Sequence, residues 1–245
     1  MSSIADNIRN VRQRIQKATL AAGRPADSVH LLAVSKTRSA DEIRTAAAQG
    51  LTRFGESYVK EALDKVQALQ DLKGLEWHFI GPLQSNKTRP VAEHFDWVHS
   101  VDRAKVAERL NDQRPADRTP LNVCIQVNID GEDTKSGTTL TMVESLADHI
   151  GRLPRLRLRG LMAIPNPDQS AEELRQRFAT LRQTLDTIRE QHPDWTTLDT
   201  LSMGMSDDLE SAVAEGATIV RIGTALFGAR PKPAKTSCET MEHNP

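Results

Sequence analysis

His30–Leu31–Leu32–Ala33–Val34–Ser35–Lys36–Thr37 decides how the rest of this chain is read. Its apolar part, Leu31–Val34, has the length and continuity of a strand buried on both faces, as in a parallel sheet. Upstream, residues 3–22 place Ile4, Ile8, Val11, Ile15 and Ala18 at helical spacing, and Gly23–Arg24–Pro25 stops that helix. Downstream, Ser39 with Glu42 three residues on predicts a capping box and a helix to Gln49. The alternation then repeats. Further strands are predicted at Thr52–Phe54, Glu76–Ile80, Asp96–His99, Leu121–Ile129, Arg155–Met162, Thr197–Leu201 and Thr218–Arg221. Helices are predicted at Glu56–Leu69, 84–92, from an Asp102 cap to Asn111, at Thr139–Ile150, 170–191 and Ser206–Glu215. Leu121–Ile129 is the clearest β run because it is rich in β-branched residues.

About eight strands, each followed by a helix, predict an α/β fold, a single (β/α)8 TIM-type barrel. The extra N-terminal helix is expected against the barrel's amino-terminal end or flank. A doubly wound open sheet is the competing arrangement, and the length and regular alternation favour the barrel. The barrel is expected over residues 1–230, with 231–245, rich in Pro, Lys and Thr, as a flexible C-terminal tail.

Composition narrows the function classes. The 245 residues suit one barrel of about 250. A formal net charge of −1 marks no nucleic-acid or acidic-membrane partner. No apolar run is long enough to span a bilayer. The start, Met1–Ser2–Ser3–Ile4–Ala5–Asp6, lacks the layout of a signal peptide. There are two cysteines, Cys124 in an apolar strand and Cys238 in the polar tail. That argues against a disulfide framework and against a zinc site, and makes a reducing, cytoplasmic setting the expectation.

In a barrel, the carboxyl ends of the strands carry the chemistry. Lys36 stands at the first of them, as an anion anchor or an amine nucleophile. On position alone, a lysine that snorkels into solvent is an equal reading. The last two strand ends shift that balance. Barrels bind phosphate with the loops after strands seven and eight. Ser202–Met203–Gly204–Met205–Ser206 and Gly223–Thr224 are such loops, with hydroxyl donors and glycines that let backbone N–H groups approach an anion. Each alone reads as a turn or a helix cap; together, at these strands, they favour phosphate. A phosphate beside a strand-end lysine suggests pyridoxal 5′-phosphate (PLP), whose aldehyde is attacked by a neutral lysine amine to form a Schiff base. A phosphosugar also fits. Arg221, one strand end from the phosphate loop, discriminates: it can donate to an unprotonated pyridine nitrogen, which leaves the ring a weaker electron sink. A salt bridge to Asp207 or Asp208 is its plainer reading.

Six stretches carry a family resemblance: Leu31–Thr37, Phe54–Gly55–Glu56, Trp77–Lys87, Arg159–Ile164, Leu201–Asp208 and Val220–Thr224. Together they resemble the pyridoxal phosphate homeostasis protein family, small PLP-binding relatives of the alanine racemase N-terminal domain. The resemblance implies that Lys36 is the Schiff-base lysine and that Arg221 meets the pyridine nitrogen. It implies Ser202, Ser206, Gly223 and Thr224 around the phosphate. One position departs: the family reads Phe-Gly-Glu-Asn-Tyr where this chain has Phe54–Gly55–Glu56–Ser57–Tyr58. Ser57 thus replaces an asparagine near the cofactor, and its shorter hydroxyl is expected to reach the ring oxygen only through water.

Two function classes follow. One is a protein that stores, buffers or delivers PLP, with apo PLP-dependent enzymes as recipients. The other is a PLP enzyme such as an amino-acid racemase. Racemisation needs bases on both faces of the α-carbon. Racemases of this resemblance take a tyrosine from an added β domain, which is not expected here; Tyr58 is predicted at a helix start. The binding protein is the favoured reading, and a monomer the favoured state. His78 is expected to pack in the barrel core, and Met203 and Met205 to touch the ring or fill gaps. The 132–137 loop is expected to be mobile and polar, Lys135 meeting ligand transiently. Arg152, Arg155, Arg157 and Arg159 read as a solvated strand face.

Overall fold

The computed structural model describes residues 3–132 and 134–229. The expected flexible tail, Cys238 and Asp133 lie outside the described residues. Eight parallel strands close into a barrel in chain order: β1 His30–Val34, β2 Arg53–Glu56, β3 Glu76–Phe79, β4 Trp97–Val101, β5 Leu121–Val127, β6 Leu156–Ala163, β7 Thr200–Ser202 and β8 Ile219–Ile222. Closure is direct, since β1 pairs with β8 in register Leu31 to Val220 and Leu32 to Arg221. The helices are α1 Ile4–Ala21, α2 Ala40–Ala48, α3 Val59–Ala68, α4 Thr88–His94, α5 Ala104–Gln113, α6 Val143–Gly151, α7 Ala171–Gln191, α8 Leu209–Ala214 and α9 Thr224–Phe227.

The apolar pattern explains the layers. The larger core lies between strands and helices, with Ile43, Val91, Leu110, Phe178 and Leu185 reaching in from the helices. Inside the barrel a smaller group, Leu32, Trp97, Cys124, Met162 and Ile219, packs together. The rest of the interior is polar: His78, His99 and Ser202 are fully buried there, whereas Glu56 is buried on the outer side of β2, against Lys65 of α3.

Local signals placed most elements and misplaced a few ends. Ser39 accepts from the Glu42 N–H while Glu42 accepts from Ser39, as the capping box requires. Asp102 is not the cap of α5; Arg103 occupies that position without a side-chain cap bond, and Asp102 pairs with Arg103. Glu56 ends β2 rather than opening α3. α8 starts at Leu209, because Asp208 turns back to accept the Met205 N–H and holds residues 203–208 as a loop. Of the basic run, Arg152, Arg155 and Arg157 are exposed. Arg159 instead stacks 4.5 Å over Trp97 and grips Asp199.

α1 lies on the barrel flank, packed against α8, α9 and α2. Ile8, Val11 and Ile15 fill that contact. Polar ties fix it: Asn7 Nδ2 donates to Leu226 O at 2.9 Å, and Arg24 Nη1 to Val213 O at 2.9 Å. One end of α1 thereby reaches the carboxyl face of the barrel.

Candidate functional site

The carboxyl face holds a cavity of about 440 Å3. Lys36 borders it from the end of β1, Ser57 from β2, Ser206 from the loop after β7, and Arg221, Gly223 and Thr224 from β8 and the turn beyond. Six of the seven residues singled out in the sequence therefore share one concavity. Ser202 is the seventh. As the last residue of β7 it points into the barrel, where its hydroxyl meets Arg221 and His99 rather than the cavity. Met205 borders the cavity, whereas Met203 is buried in the outer core. His78 is buried inside the barrel, as expected for a core histidine. Lys135 is turned aside, paired with Asp130 at 2.9 Å and Glu132 at 3.2 Å.

Two charged bordering residues escaped the sequence reading. Arg14 belongs to α1, and only the docking of α1 on α8 brings it here. Its guanidinium pairs with Glu210 at 2.9 Å and donates to Ser206 O at 2.9 Å. Arg38 is buried beneath Phe227 and donates to Gly228 O. Asp207, read from the sequence as a salt-bridge partner for Arg221, borders the cavity as well. Among the described residues the lining thus holds four cations, Arg14, Lys36, Arg38 and Arg221, against the single carboxylate of Asp207. Such a balance favours an anionic guest. Val34, Ile80, Ile164 and Met205 add apolar walls suited to a flat ring.

The turn that carries Lys36 is held from behind. Thr37 has φ +65°, a conformation that costs a β-branched residue on the order of 1–3 kcal/mol. Its N–H donates to Glu61. Lys65 Nζ, itself buried, donates to Ser35 O at 2.7 Å, to Glu56 Oε1 at 2.8 Å and to Glu61. Ser35 Oγ donates to the same Glu56 oxygen at 2.6 Å. Glu56 Oε2 has no hydrogen-bond partner. Burial pushes the Glu56 carboxyl above its usual range, and Lys65 opposes that shift. Residues 35–37 are therefore bracketed by a buried ionic network. Ser57 also depends on a close approach. A Cβ at Gly81 would lie 2.3 Å from Ser57 O, so only glycine lets the two segments meet.

Arg221 is 4% exposed. Its Nη1 donates to Ser202 O and, at 2.9 Å, to Ser202 Oγ; its Nη2 donates to Ala163 O at 2.9 Å. Nε is engaged in none of these bonds. Burial brings the guanidinium pKa down to about 10, so it stays charged at neutral pH. Among the described residues no group of three or more His, Cys, Asp or Glu could hold a metal ion. No helix among them is long and apolar enough to cross a membrane.

The sequence and the fold both have known relatives. The alanine racemase N-terminal domain family matches residues 1–231. A pyridoxal phosphate homeostasis protein of Pseudomonas aeruginosa is 57% identical over 97% of this chain and 100% of its own. That of Escherichia coli K12 is 53% identical over 94% of this chain and 98% of its own. Among solved structures, PipY of Synechococcus elongatus with PLP bound superposes with a TM-score of 0.81 at 38% identity, covering 92% of this chain and 100% of PipY. Alanine racemase of Corynebacterium glutamicum, at 17% identity and a TM-score of 0.64, shares the fold alone; it covers 94% of this chain, which covers 61% of it. A barrel closed in chain order, with Lys36, Ser206, Gly223 and Thr224 on one cavity, thus comes with relatives that match end to end, and the chain belongs to the pyridoxal phosphate homeostasis protein family, within the alanine racemase N-terminal domain family.

Proposed function

We propose that this protein binds PLP in the carboxyl-face cavity and acts in intracellular PLP homeostasis, by storing, buffering or delivering the cofactor. The observation that carries the reading is the sharing of one cavity by the Lys36 amine, the Arg221 guanidinium and the Ser206, Gly223 and Thr224 donors. The donor set fits the group: an excess of cations for a phosphate, apolar walls for a ring, and an amine for an aldehyde. PLP supplies an aldehyde that condenses with a lysine amine and a pyridine ring that can take up electrons. Lys36 is the residue for the aldehyde. Ser206, Gly223 and Thr224 hold the phosphate, with Arg14 adding charge from α1. Ser57 lies on the ring side and acts through water. Ser202 serves the site indirectly, by bonding Arg221.

Arg221 keeps the ring a weak electron sink. A charged guanidinium only donates hydrogen bonds, so the nitrogen it faces stays unprotonated. Tyr58, the chain's single tyrosine, is exposed and does not border the cavity. The relatives at 49–57% identity are named as homeostasis proteins rather than as enzymes. Incubation with a panel of α-deuterated amino acids is therefore expected to show no rapid, saturable deuterium loss. Exchange that saturates and disappears in Lys36→Ala would restore the racemase reading.

The phosphate assignment has its own test. Thr224→Val removes a hydroxyl donor while keeping shape. Loss of a hydrogen bond to a charged group costs on the order of 1.5–3 kcal/mol. PLP titrations should weaken by that amount and pyridoxal titrations should not; equal weakening contradicts the assignment. Delivery is tested by the rate of apo-enzyme reactivation from the loaded protein against free PLP at equal concentration. Light scattering checks the monomer.

A further inference from the structure

Five polar side chains form one continuous chain through the barrel interior. Glu76 opens β3 at the amino-terminal mouth, where it lines a pocket of about 300 Å3 and pairs with Arg53 at 3.2 Å. His78 Nε2 lies 2.7 Å from Glu76 Oε1, and His78 Nδ1 lies 2.8 Å from His99 Nε2. His99 Nδ1 lies 2.7 Å from Ser202 Oγ, which accepts from Arg221 Nη1 at 2.9 Å. The three middle residues have no exposed surface. They come from β3, β4 and β7, so the chain crosses the barrel instead of following one strand. It joins the bottom mouth to the cavity at the top.

The two ends dictate the direction of every bond. A guanidinium can only donate and a carboxylate can only accept. Burial opposes ionisation of Glu76, but its bonds and charge interactions with His78 and Arg53 bring its pKa down to about 2. As a carboxylate it must receive the His78 Nε2 proton. Burial lowers the His78 pKa, with Glu76 and Asp96 opposing and Arg53 reinforcing. Burial, His78 and Arg221 hold His99 well below its usual value. Both rings are therefore neutral at pH 7, and each carries one proton. His78 Nδ1 is then an acceptor, which makes His99 Nε2 the donor and His99 Nδ1 an acceptor. The Ser202 proton goes to His99, and the lone pairs of its oxygen are left for Arg221. Without the carboxylate the opposite order is equally allowed. His99 would then donate to Ser202, leaving the buried serine proton to seek another acceptor.

We propose that His78 and His99 are positioning residues of the cofactor site: anchored on Glu76, they fix the Ser202 hydroxyl as an acceptor and so hold Arg221 in place for the ring nitrogen. The part concerning the ring rests on the PLP reading above; the proton order does not. Histidine 15N NMR of the full chain without cofactor reads that order, with assignments from His78→Gln and His99→Gln. The expected result is two neutral Nε2–H rings that do not titrate between about pH 6 and 8, where an ordinary histidine does. Glu76→Gln keeps the pattern, because an amide oxygen still accepts. Arg53→Gln keeps it too, because only the side partner of Glu76 is lost. Glu76→Leu gives mixed tautomers, and in the PLP-loaded protein it shifts the pH profile of the visible band, which Glu76→Gln and Arg53→Gln leave in place. An Nδ1–H ring, or ordinary titration of either histidine in the wild type, overturns the proposal. So does Glu76→Leu with unchanged tautomers or an unchanged pH profile. If Lys36→Ala keeps the wild-type chromophore, the PLP reading falls while the tautomer result stands, so the two failures are distinct.

Discussion

Lys36→Ala abolishes the yellow chromophore of the PLP-loaded protein and the mass increment that borohydride fixes, while weaker cofactor affinity persists. Among the described residues that line the cavity, Lys36 is the only lysine. The donors Ser206, Gly223 and Thr224 come from the segments that follow β7 and β8, not from the β1 turn that carries Lys36. Covalent and ionic holding are therefore separable. Visible absorbance and intact mass read the first, and equilibrium dialysis the second. A variant that keeps an unchanged adduct at this cavity would remove Lys36 from the assignment. One that loses all affinity would show that the phosphate contacts contribute little alone.

The second large effect is on stability. Lys65→Met keeps the length of the side chain and removes the ammonium that meets Glu56, Glu61 and Ser35 O. Glu56, with no exposed surface, is left without its counter-charge. Breaking a buried pair from one side costs about 3–5 kcal/mol, to be measured by urea unfolding. The pH dependence has a definite sign. Burial raises the folded-state pKa of Glu56, and the opposing influence of Lys65 is gone in the variant. A carboxyl with a raised pKa favours the folded state when protonated and loses that advantage as pH rises through the folded value. The gap from wild type should therefore narrow in acid and widen toward alkaline pH. Because the network brackets the Lys36 turn, PLP uptake should slow as well. A gap that does not change with pH would mean that Glu56 is not charged in the fold.

The barrel was legible because hydrophobic periodicity and caps are local. Leu31–Val34 and the Ser39 box needed nothing from elsewhere in the chain, and both stand as read. What escaped depends on partners far apart in sequence. Glu56 reads as the solvent-facing start of a helix, since nothing nearby announces that Lys65 will neutralise it inside. Ser202 reads as a phosphate donor because it neighbours Gly204. The alternation of side chains along β7 sends it inward instead, toward Arg221. Arg14 looks like one of several exposed arginines on α1, and only the packing of α1 on α8 turns it to the cavity. Lys36, Arg221 and the Gly223–Thr224 turn were readable because strand ends in a barrel converge whatever the intervening helices do.

Arg14 also closes a seam between the beginning and the end of the described chain. With Asn7 on Leu226 O and Arg14 on Ser206 O and Glu210, the first helix is fastened to the last quarter of the sequence at the rim of the cavity. A guest that leans on this rim links ligand concentration to global folding. A ligand at a hundredfold excess over its Kd adds about 2.7 kcal/mol to the native state. Thermal midpoints, hydrogen-exchange lifetimes of α1 and resistance to proteases should then all rise with cofactor supply. The loaded and empty molecules would differ in cellular lifetime as well as in cargo, so turnover of the chain would itself follow how much PLP is available.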